Sequence, residues 1–403
     1  MEERRQETPQ ERPKRWQGLK TMISFWMFGL CNNFGYVVML SAAHDIMREF
    51  DETDGSVEKV KAFYKRECNV YGTGAILLAD IFPSILIKLV APFFPLFIHV
   101  RVATTVITSA FGFILVALKW NKWSIILGVI LTSISSGLGE TSLLAYTVFF
   151  KTKNVISTWS SGTGAAGLFG SFAYAALINL GLSPTTTLLS MLVSPAAMAF
   201  CFWGLVEHPK INKKESYLEV DRPTVQDKHT FKEKVALLPH LIVVYTAPFG
   251  LVYLFEYFVN QGLFELLYFP QTFLNHHSQY RWYQVLYQTG VFISRSSMNL
   301  VKINNTWLLA ILQGLNLILL VLEVVYGYMR YLIIVMLVVL WEGLLGGASY
   351  VNTYRRIASE IAPAEREFSM AMNSFGDAVM ITLAGIIAIP SHNQLCKLKS
   401  PYY

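Results

Sequence analysis

Apolar runs of about twenty residues, separated by short polar segments, recur along almost the whole chain. That is the length a helix needs to cross a hydrocarbon core of roughly 30 Å. The pattern predicts spans at 22–43, 70–91, 101–118, 123–146, 155–178 and 185–206. A charged segment, 207–237, interrupts it. Five more spans follow, at 238–266, 280–300, 305–326, 330–353 and 368–390. The expected class is an all-α polytopic membrane protein, with about eleven transmembrane helices in two pseudo-symmetric halves, six plus five. The N-terminal half covers 22–206 and the C-terminal half 238–390. Outside them lie a tail at 1–21, a mixed-charge loop at 44–69 and a tail at 391–403. The loop has room for a short amphipathic helix around Val57–Phe63.

The halves echo one another. Gly139-Glu-Thr-Ser142 aligns with Gly346-Gly-Ala-Ser349, which puts Glu140 and Glu342 on corresponding helices. The first and seventh spans each carry a carboxamide pair, Asn32–Asn33 and Asn260–Gln261, with glycine shortly after. Repeats of this kind place a binding site near the midplane, between the halves.

Composition fits the pattern. Only 15% of the 403 residues are charged and 53% are apolar, against about 25% charged in a soluble domain. The net charge of +6 reads as loop bias. No basic face with interleaved aromatics suggests nucleic acid. Lys and Arg fall roughly two to one in favour of the loops on the N-terminal side, which places the N-terminus in the cytosol. An odd number of spans then puts the C-terminus on the lumenal side. Residues 1–20 are polar, so the first apolar run is expected to act as an uncleaved signal-anchor. The four cysteines lack metal-ligand spacing, and no metal or cofactor is expected. Cys31 and Cys201 lie within spans as packing residues. A Cys68–Cys396 disulfide requires both on the lumenal side, and the sequence leaves it open.

Charges inside the spans carry the candidate chemistry. Asp80, Glu140, Glu256, Glu342 and Asp377 each cost at least about 2.5–3.5 kcal/mol at mid-bilayer unless they face a cavity or a partner. Two readings stand for all five: substrate contact or proton coupling, and structural pairing between helices. At helical pitch Glu256 and Asn260 share a face, with Gln261 beside them. These residues, with Asn33, Tyr36 and Tyr257, are expected to line a wet cavity. Glu265 falls at the lumenal edge, as a gate or loop anchor. Arg295 sits among hydroxyls in Ser294-Arg-Ser-Ser297. A guanidinium fork there suits a phosphate or carboxylate, and the competing reading is a bridge between helices. Lys88 has the same two readings, with snorkelling to the headgroups as the bland one. Arg281, in Tyr280-Arg-Trp-Tyr283, reads as an anchor among aromatics at the membrane edge.

Other patterns are weaker. The glycine- and serine-rich run Ser157–Gly170 lacks a phosphate-loop pattern and reads as close helix packing. Gly137-Leu-Gly-Glu140 resembles an intramembrane aspartyl protease motif, but Glu replaces Asp and no partner Tyr-Asp precedes it. Tyr217–Val220 and Glu233–Leu238 fit short sorting signals for adaptor proteins. Asn304-Asn-Thr306 is a sequon on the expected cytosolic side, where it would stay unmodified.

Longer blocks carry a resemblance. Phe28–Asp45, Leu78-Ala-Asp80, Ser133–Glu140, Trp159–Gly164, Asn260–Leu267, Gln279–Tyr283, Phe292–Ser297 and Glu342–Gly347 resemble the battenin family across about 20–390. The resemblance implies a major-facilitator-like fold and a multi-pass protein of lysosomal and late-endosomal membranes. It implies a small-molecule substrate, glycerophosphodiesters such as glycerophosphoglycerol or glycerophosphocholine, exported from the lumen. Links to lysosomal pH, autophagy and amino acid transport come with it. The runner-up functions are a non-transporting trafficking scaffold and a carrier of cationic amino acids such as arginine. The sequence departs from the family in two features. Cys396 is followed by seven residues, so no prenylation box is present, and the 44–69 loop has no glycosylation sequon.

Overall fold

The computed structural model describes residues 11–42, 45–46, 74–91, 97–147, 150, 155–208, 237–297 and 301–402. Val57–Phe63, Cys68 and the 209–236 part of the central segment, with Tyr217–Val220, lie outside the described residues. Eleven helices run through the described chain. In the N-terminal half they are α1 (Glu11–Ser41), α2 (Gly74–Val90), α3 (Ile98–Leu118), α4 (Lys122–Tyr146), α5 (Val155–Asn179) and α6 (Pro184–Leu205). In the C-terminal half they are α7 (Leu237–Leu266), α8 (His276–Ser296), α9 (Thr306–Tyr326), α10 (Leu332–Glu360) and α11 (Pro363–Cys396). Each overlaps one predicted span. The ends differ most where polar turns extend an apolar core, at the start of α1 and at the end of α10.

Eight of these helices are long and apolar enough to cross a membrane. The other three show why the hydropathy pattern is uneven. α2 has only 17 residues, α5 is rich in glycine and serine, and α8 turns a polar face inward. Tyr280, Arg281, Gln284 and Tyr287 on α8 are all buried. The lipid-facing surface is apolar, as Ile107 and Phe111 on α3 and Ile311, Leu315 and Ile318 on α9 illustrate.

Helix ends follow local chemistry. Ser183 caps α6, its hydroxyl accepting from the Thr186 N–H at 3.1 Å, with Pro184 in the first turn. Asn275 caps α8, accepting from the Ser278 N–H at 2.8 Å. α9 stops at Gly327, whose φ of +60° suits glycine. Within α2, Pro83 breaks the ladder. The Ser133 hydroxyl of α4 inserts there, accepting from the Ser84 N–H at 3.0 Å and donating to the Asp80 carbonyl.

Helix pairing repeats with an offset of six. In the first half α1 packs against α5 and α2 against α4; in the second, α7 packs against α11 and α8 against α10. The halves meet through α2 with α11 and through α5 with α8. The glycine-rich run of α5 lets α1 approach closely. A Cβ at Gly29 would meet the backbone of Trp159 and Thr163, and one at Gly162 the backbone of Trp26 and Leu30. In the N-terminal half α6 covers α1 and α3. The second half has no counterpart of α6 among the described residues.

Candidate functional site

α7 is irregular where the sequence placed its polar face. A regular helix from Ala247 to Phe258 gives way to a π turn, Val259–Leu263, and a 3-10 turn, Phe264–Leu266. Asn260 and Gln261 lie in the π turn, one turn after Glu256. All three are buried. The Tyr287 hydroxyl donates to Glu256, and the carboxylate rests against Gly346 of α10. Gly139 of α4 receives Asn32 of α1 in the same way. The glycine alignment therefore pairs Asn32 with Glu256, and not with the Asn260–Gln261 pair that sequence spacing suggested.

The expectation that Glu256 and Asn260 line a wet cavity is not met. Each keeps only 2% of its surface exposed. Asp80 and Glu342 are buried as well, and their carboxylate oxygens find no hydrogen-bond partner among the described residues. Asn33 is half-buried and donates to the Gly29 carbonyl of its own helix at 3.3 Å. Its neighbour Asn32 makes the interhelical bond, to the Ser136 carbonyl at 3.0 Å.

A different group lines the space between the halves. Lys88 of α2 and Glu140 of α4 form an ion pair at 2.7 Å, and both side chains retain about a third of their surface, 32% and 29%. Lys88 lies in the last turn of α2 and Glu140 inside α4, so the pair joins the two helices near the end of α2. Asp377 of α11 and Tyr350 of α10 lie within electrostatic range of Lys88. Across the interface, the Arg295 guanidinium sits over the Tyr350 ring at 4.2 Å and donates to the Tyr253 hydroxyl at 3.3 Å. The Tyr253 and Tyr257 rings stack at 6.0 Å, and the Tyr36 hydroxyl donates to that of Tyr257 at 2.9 Å. Arg295, Tyr350, Asp377, Tyr36 and Tyr257 are all half-buried. Gly164 of α5 leaves room beside the Arg295 side chain.

The result is a cluster of two cations, two carboxylates and several phenol hydroxyls between the halves. It can hold a small, polar, charged molecule. The guanidinium offers a planar fork to two oxygens, the lysine a compact charge, and the tyrosines both rings and hydroxyls. Tyr253 and Tyr350 were not singled out in the sequence. Their signal was present, because Tyr253–Tyr257 and Tyr350–Tyr354 repeat at i, i+4 and so share a helix face.

At the other end of the bundle the halves are closed. Asp45, just past α1, accepts from Arg281 Nη1 at 3.1 and 2.9 Å and from the Tyr174 hydroxyl at 2.9 Å. His277 Nδ1 lies 3.7 Å from the same carboxylate. The Tyr280 hydroxyl donates to the Leu40 carbonyl at 3.0 Å, and that of Ser278 to Asn179 Oδ1 at 3.3 Å. Arg281 is thus a buried tie between the halves, where an aromatic anchor was expected. Nearby, Glu265 is buried, with His392 Nε2 3.7 Å from its carboxylate. His392 Nδ1–H donates to the Gly262 carbonyl at 3.1 Å. Cys396, at the end of α11, is disulfide-bonded, whereas Cys31 and Cys201 are buried free thiols.

Two pseudo-symmetric halves around a polar cleft, closed at one end, define a multi-pass membrane protein with the fold of major-facilitator transporters. The structure of a D-xylose-proton symporter superposes with a TM-score of 0.61 at 10% identity, covering 94% of this chain and 95% of that one. The CLN3 protein family matches residues 23–228 and 212–398, and the chain belongs to that family. Battenin of Canis lupus familiaris is 44% identical over 407 residues, 94% of this chain and 92% of that protein. Protein BTN1 of Eremothecium gossypii is 37% identical over 410 residues, 92% of this chain and 94% of that protein.

Proposed function

We propose that this protein is a lysosomal and late-endosomal transporter that exports glycerophosphodiesters by alternating access. One observation supports the reading: Lys88 and Arg295 are both partly exposed and lie in electrostatic range of the same two groups, Tyr350 and Asp377. A glycerophosphodiester has one phosphate anion flanked by glycerol hydroxyls. Arg295 takes two phosphate oxygens through its fork. Lys88 adds a point charge, and the hydroxyls of Tyr253, Tyr257, Tyr36 and Tyr350 serve the glycerol. Lys88 is held by Glu140, so phosphate and carboxylate compete for it. A proton taken by Glu140 releases Lys88, which links substrate binding to the acidic lumen.

The closed end at Asp45 and Arg281 lies on the lumenal side in this reading, with the cleft facing the cytosol. The disulfide at Cys396 supports the assignment, because such bonds persist in oxidising compartments. The excess of Lys and Arg on the opposite side agrees with it.

A second reading, a carrier of arginine, rests on Glu140 and Asp377 in the same cleft. A thermal-shift panel on purified protein separates the two. Glycerophosphoglycerol, glycerophosphocholine, arginine and a nucleoside are compared at pH 5 and pH 7 (order-of-magnitude settings around the histidine range). Stabilisation by the phosphodiesters, lost in Arg295→Ala, is expected. Stabilisation by arginine alone would move the assignment, and no response to any ligand would favour a trafficking scaffold. Proton linkage is tested by uptake into proteoliposomes under a pH gradient. Glu140→Gln is expected to abolish the gradient dependence. Glu256→Gln is the second variant, from a carboxylate engaged by Tyr287.

A further inference from the structure

We infer that the second half carries an anionic phospholipid in the gap that α6 fills in the first half, between the N-terminal ends of α7 and α9 and the C-terminal end of α10. The inference is independent of the transported substrate. Its starting point is the asymmetry of the halves. α6 packs on α1 and α3 in the N-terminal half, and its last turn, Cys201–Leu205, reaches the region where α1 and α3 begin. The equivalent helices in the second half are α7 and α9. No described helix covers them there, and a cleft of about 390 Å³ opens between their N-terminal ends. Val243, Val244 and Trp307 give its lining an apolar part, and Asn304, Asn305 and Arg356 a polar one.

The apolar and polar parts of the lining differ in chemistry as the two parts of a lipid do. On the apolar side, Ile242 and Val243 of α7 are exposed, as are Trp307, Leu308, Ile311 and Leu315 down α9. They continue the cleft into an apolar track that an acyl chain can follow. The Trp307 indole N–H donates to the Val243 carbonyl at 3.1 Å, which bridges the two helices at the depth where tryptophan sits in membranes. On the polar side, Arg356 is pre-positioned. Its guanidinium lies over the Tyr245 ring at 5.0 Å and donates to Glu360 at 2.9 Å and to the Thr306 hydroxyl at 3.2 Å. Arg355 donates to Asn304 Oδ1 at 2.7 Å. Lys302 is exposed two residues before Asn304.

Charge complementarity selects the headgroup. Arg355 and Arg356 both act on Glu360, the carboxylate bonded to Arg356, so these three groups leave an excess of positive charge beside the cleft. A zwitterionic headgroup would leave it uncompensated. A cleft of about 390 Å³ has room for a phosphate with a small polar substituent. A bound lipid would replace the helix that pseudo-symmetry calls for, sealing α7 against α9 next to the π turn Ile242–Thr246.

The test uses the full-length protein, delipidated in neutral detergent. Dioleoyl phosphatidylserine, dioleoyl phosphatidylcholine or inorganic phosphate is then added, and thermal unfolding and native mass spectra are recorded. The expected result is a rise in melting temperature of several degrees with phosphatidylserine and none with the other two. At least one phosphatidylserine should remain bound in the mass spectrum. Asn305→Asp, at an exposed position that leaves the Arg356 contacts intact, should lose at least half of the rise while melting normally without lipid. Arg356→Gln should lose all of it. Equal shifts with phosphatidylcholine or with inorganic phosphate would overturn the inference, as would an unchanged response in Asn305→Asp. A dimer that Asn305→Asp dissociates would also overturn it, assigning the face to a second copy of the chain.

Discussion

Arg281→Met removes the cation from the tie that closes the bundle at Asp45. The arginine side chain is 6% exposed and the aspartate 12%, and two N–H···O contacts join them. Deleting one member of such a buried pair costs about 3–5 kcal/mol, because the other charge is stranded. The Tyr174 hydroxyl and His277 remain near Asp45 and soften the loss, so the lower end, about 3 kcal/mol, is the better figure. The tie exists only while this end is closed. Its loss therefore falls on the closed state, and the closed-to-open ratio should drop roughly 100-fold, at about 1.4 kcal/mol per tenfold. The assay is maleimide labelling of Ser41→Cys, placed in a background with Cys31 and Cys201 replaced by serine. Ser41 is 1% exposed at the closed end. Labelling should be slow with Arg281 intact and at least tenfold faster in Arg281→Met, a conservative reading of that ratio. Asp45→Asn should show a smaller increase, since an amide keeps part of the hydrogen bonding. Unchanged labelling in both variants, in protein that still melts cooperatively, would refute the closure role.

Three further outcomes follow from single contacts. Lys88→Glu should abolish thermal stabilisation by a phosphodiester, and adding Glu140→Lys should restore part of it. Failure of the double variant to differ from the single would show that the 2.7 Å pair does not set the charge of the cleft. Gly162→Val should lower the melting temperature steeply, because a Cβ there meets the Trp26 backbone, and overpacking of this kind costs about 1–3 kcal/mol. A variant as stable as the parent would mean that α1 and α5 can separate freely. The third outcome concerns pH. Burial, aided by His99, holds His208 below the ordinary histidine range, and its Nδ1 meets the Tyr146 hydroxyl at 2.8 Å. A histidine kept neutral in the folded state gives stability that is present above about pH 6.5 and is lost as pH falls through the depressed value. His208→Gln should flatten that part of the melting-temperature profile, and an unaltered profile would assign the slope to another group.

Much of the fold was legible in the chain. Apolar runs and polar breaks located the eleven helices of the described residues, because lipid forces every spanning segment to satisfy its own backbone. The six-plus-five division and the glycine-rich contact of α5 came from the same reading. Side-chain partnership was not legible. Glu256 looked like a cavity residue because a polar group in an apolar run must have a reason. Burial against Tyr287 and Gly346 is as good a reason as water, and one-dimensional spacing does not distinguish them. The π turn at Val259–Leu263, which holds Asn260 and Gln261, has no signal in the hydropathy pattern. The tie from Arg281 to Asp45 joins residues 236 positions apart, and the Tyr36–Tyr257 contact joins residues 221 apart. The sequence by itself determined that this protein crosses a membrane many times in two related halves with charges between them. Only the tertiary structure decided which charges pair, which face water and which end is closed, since those depend on contacts between helices that no local periodicity encodes.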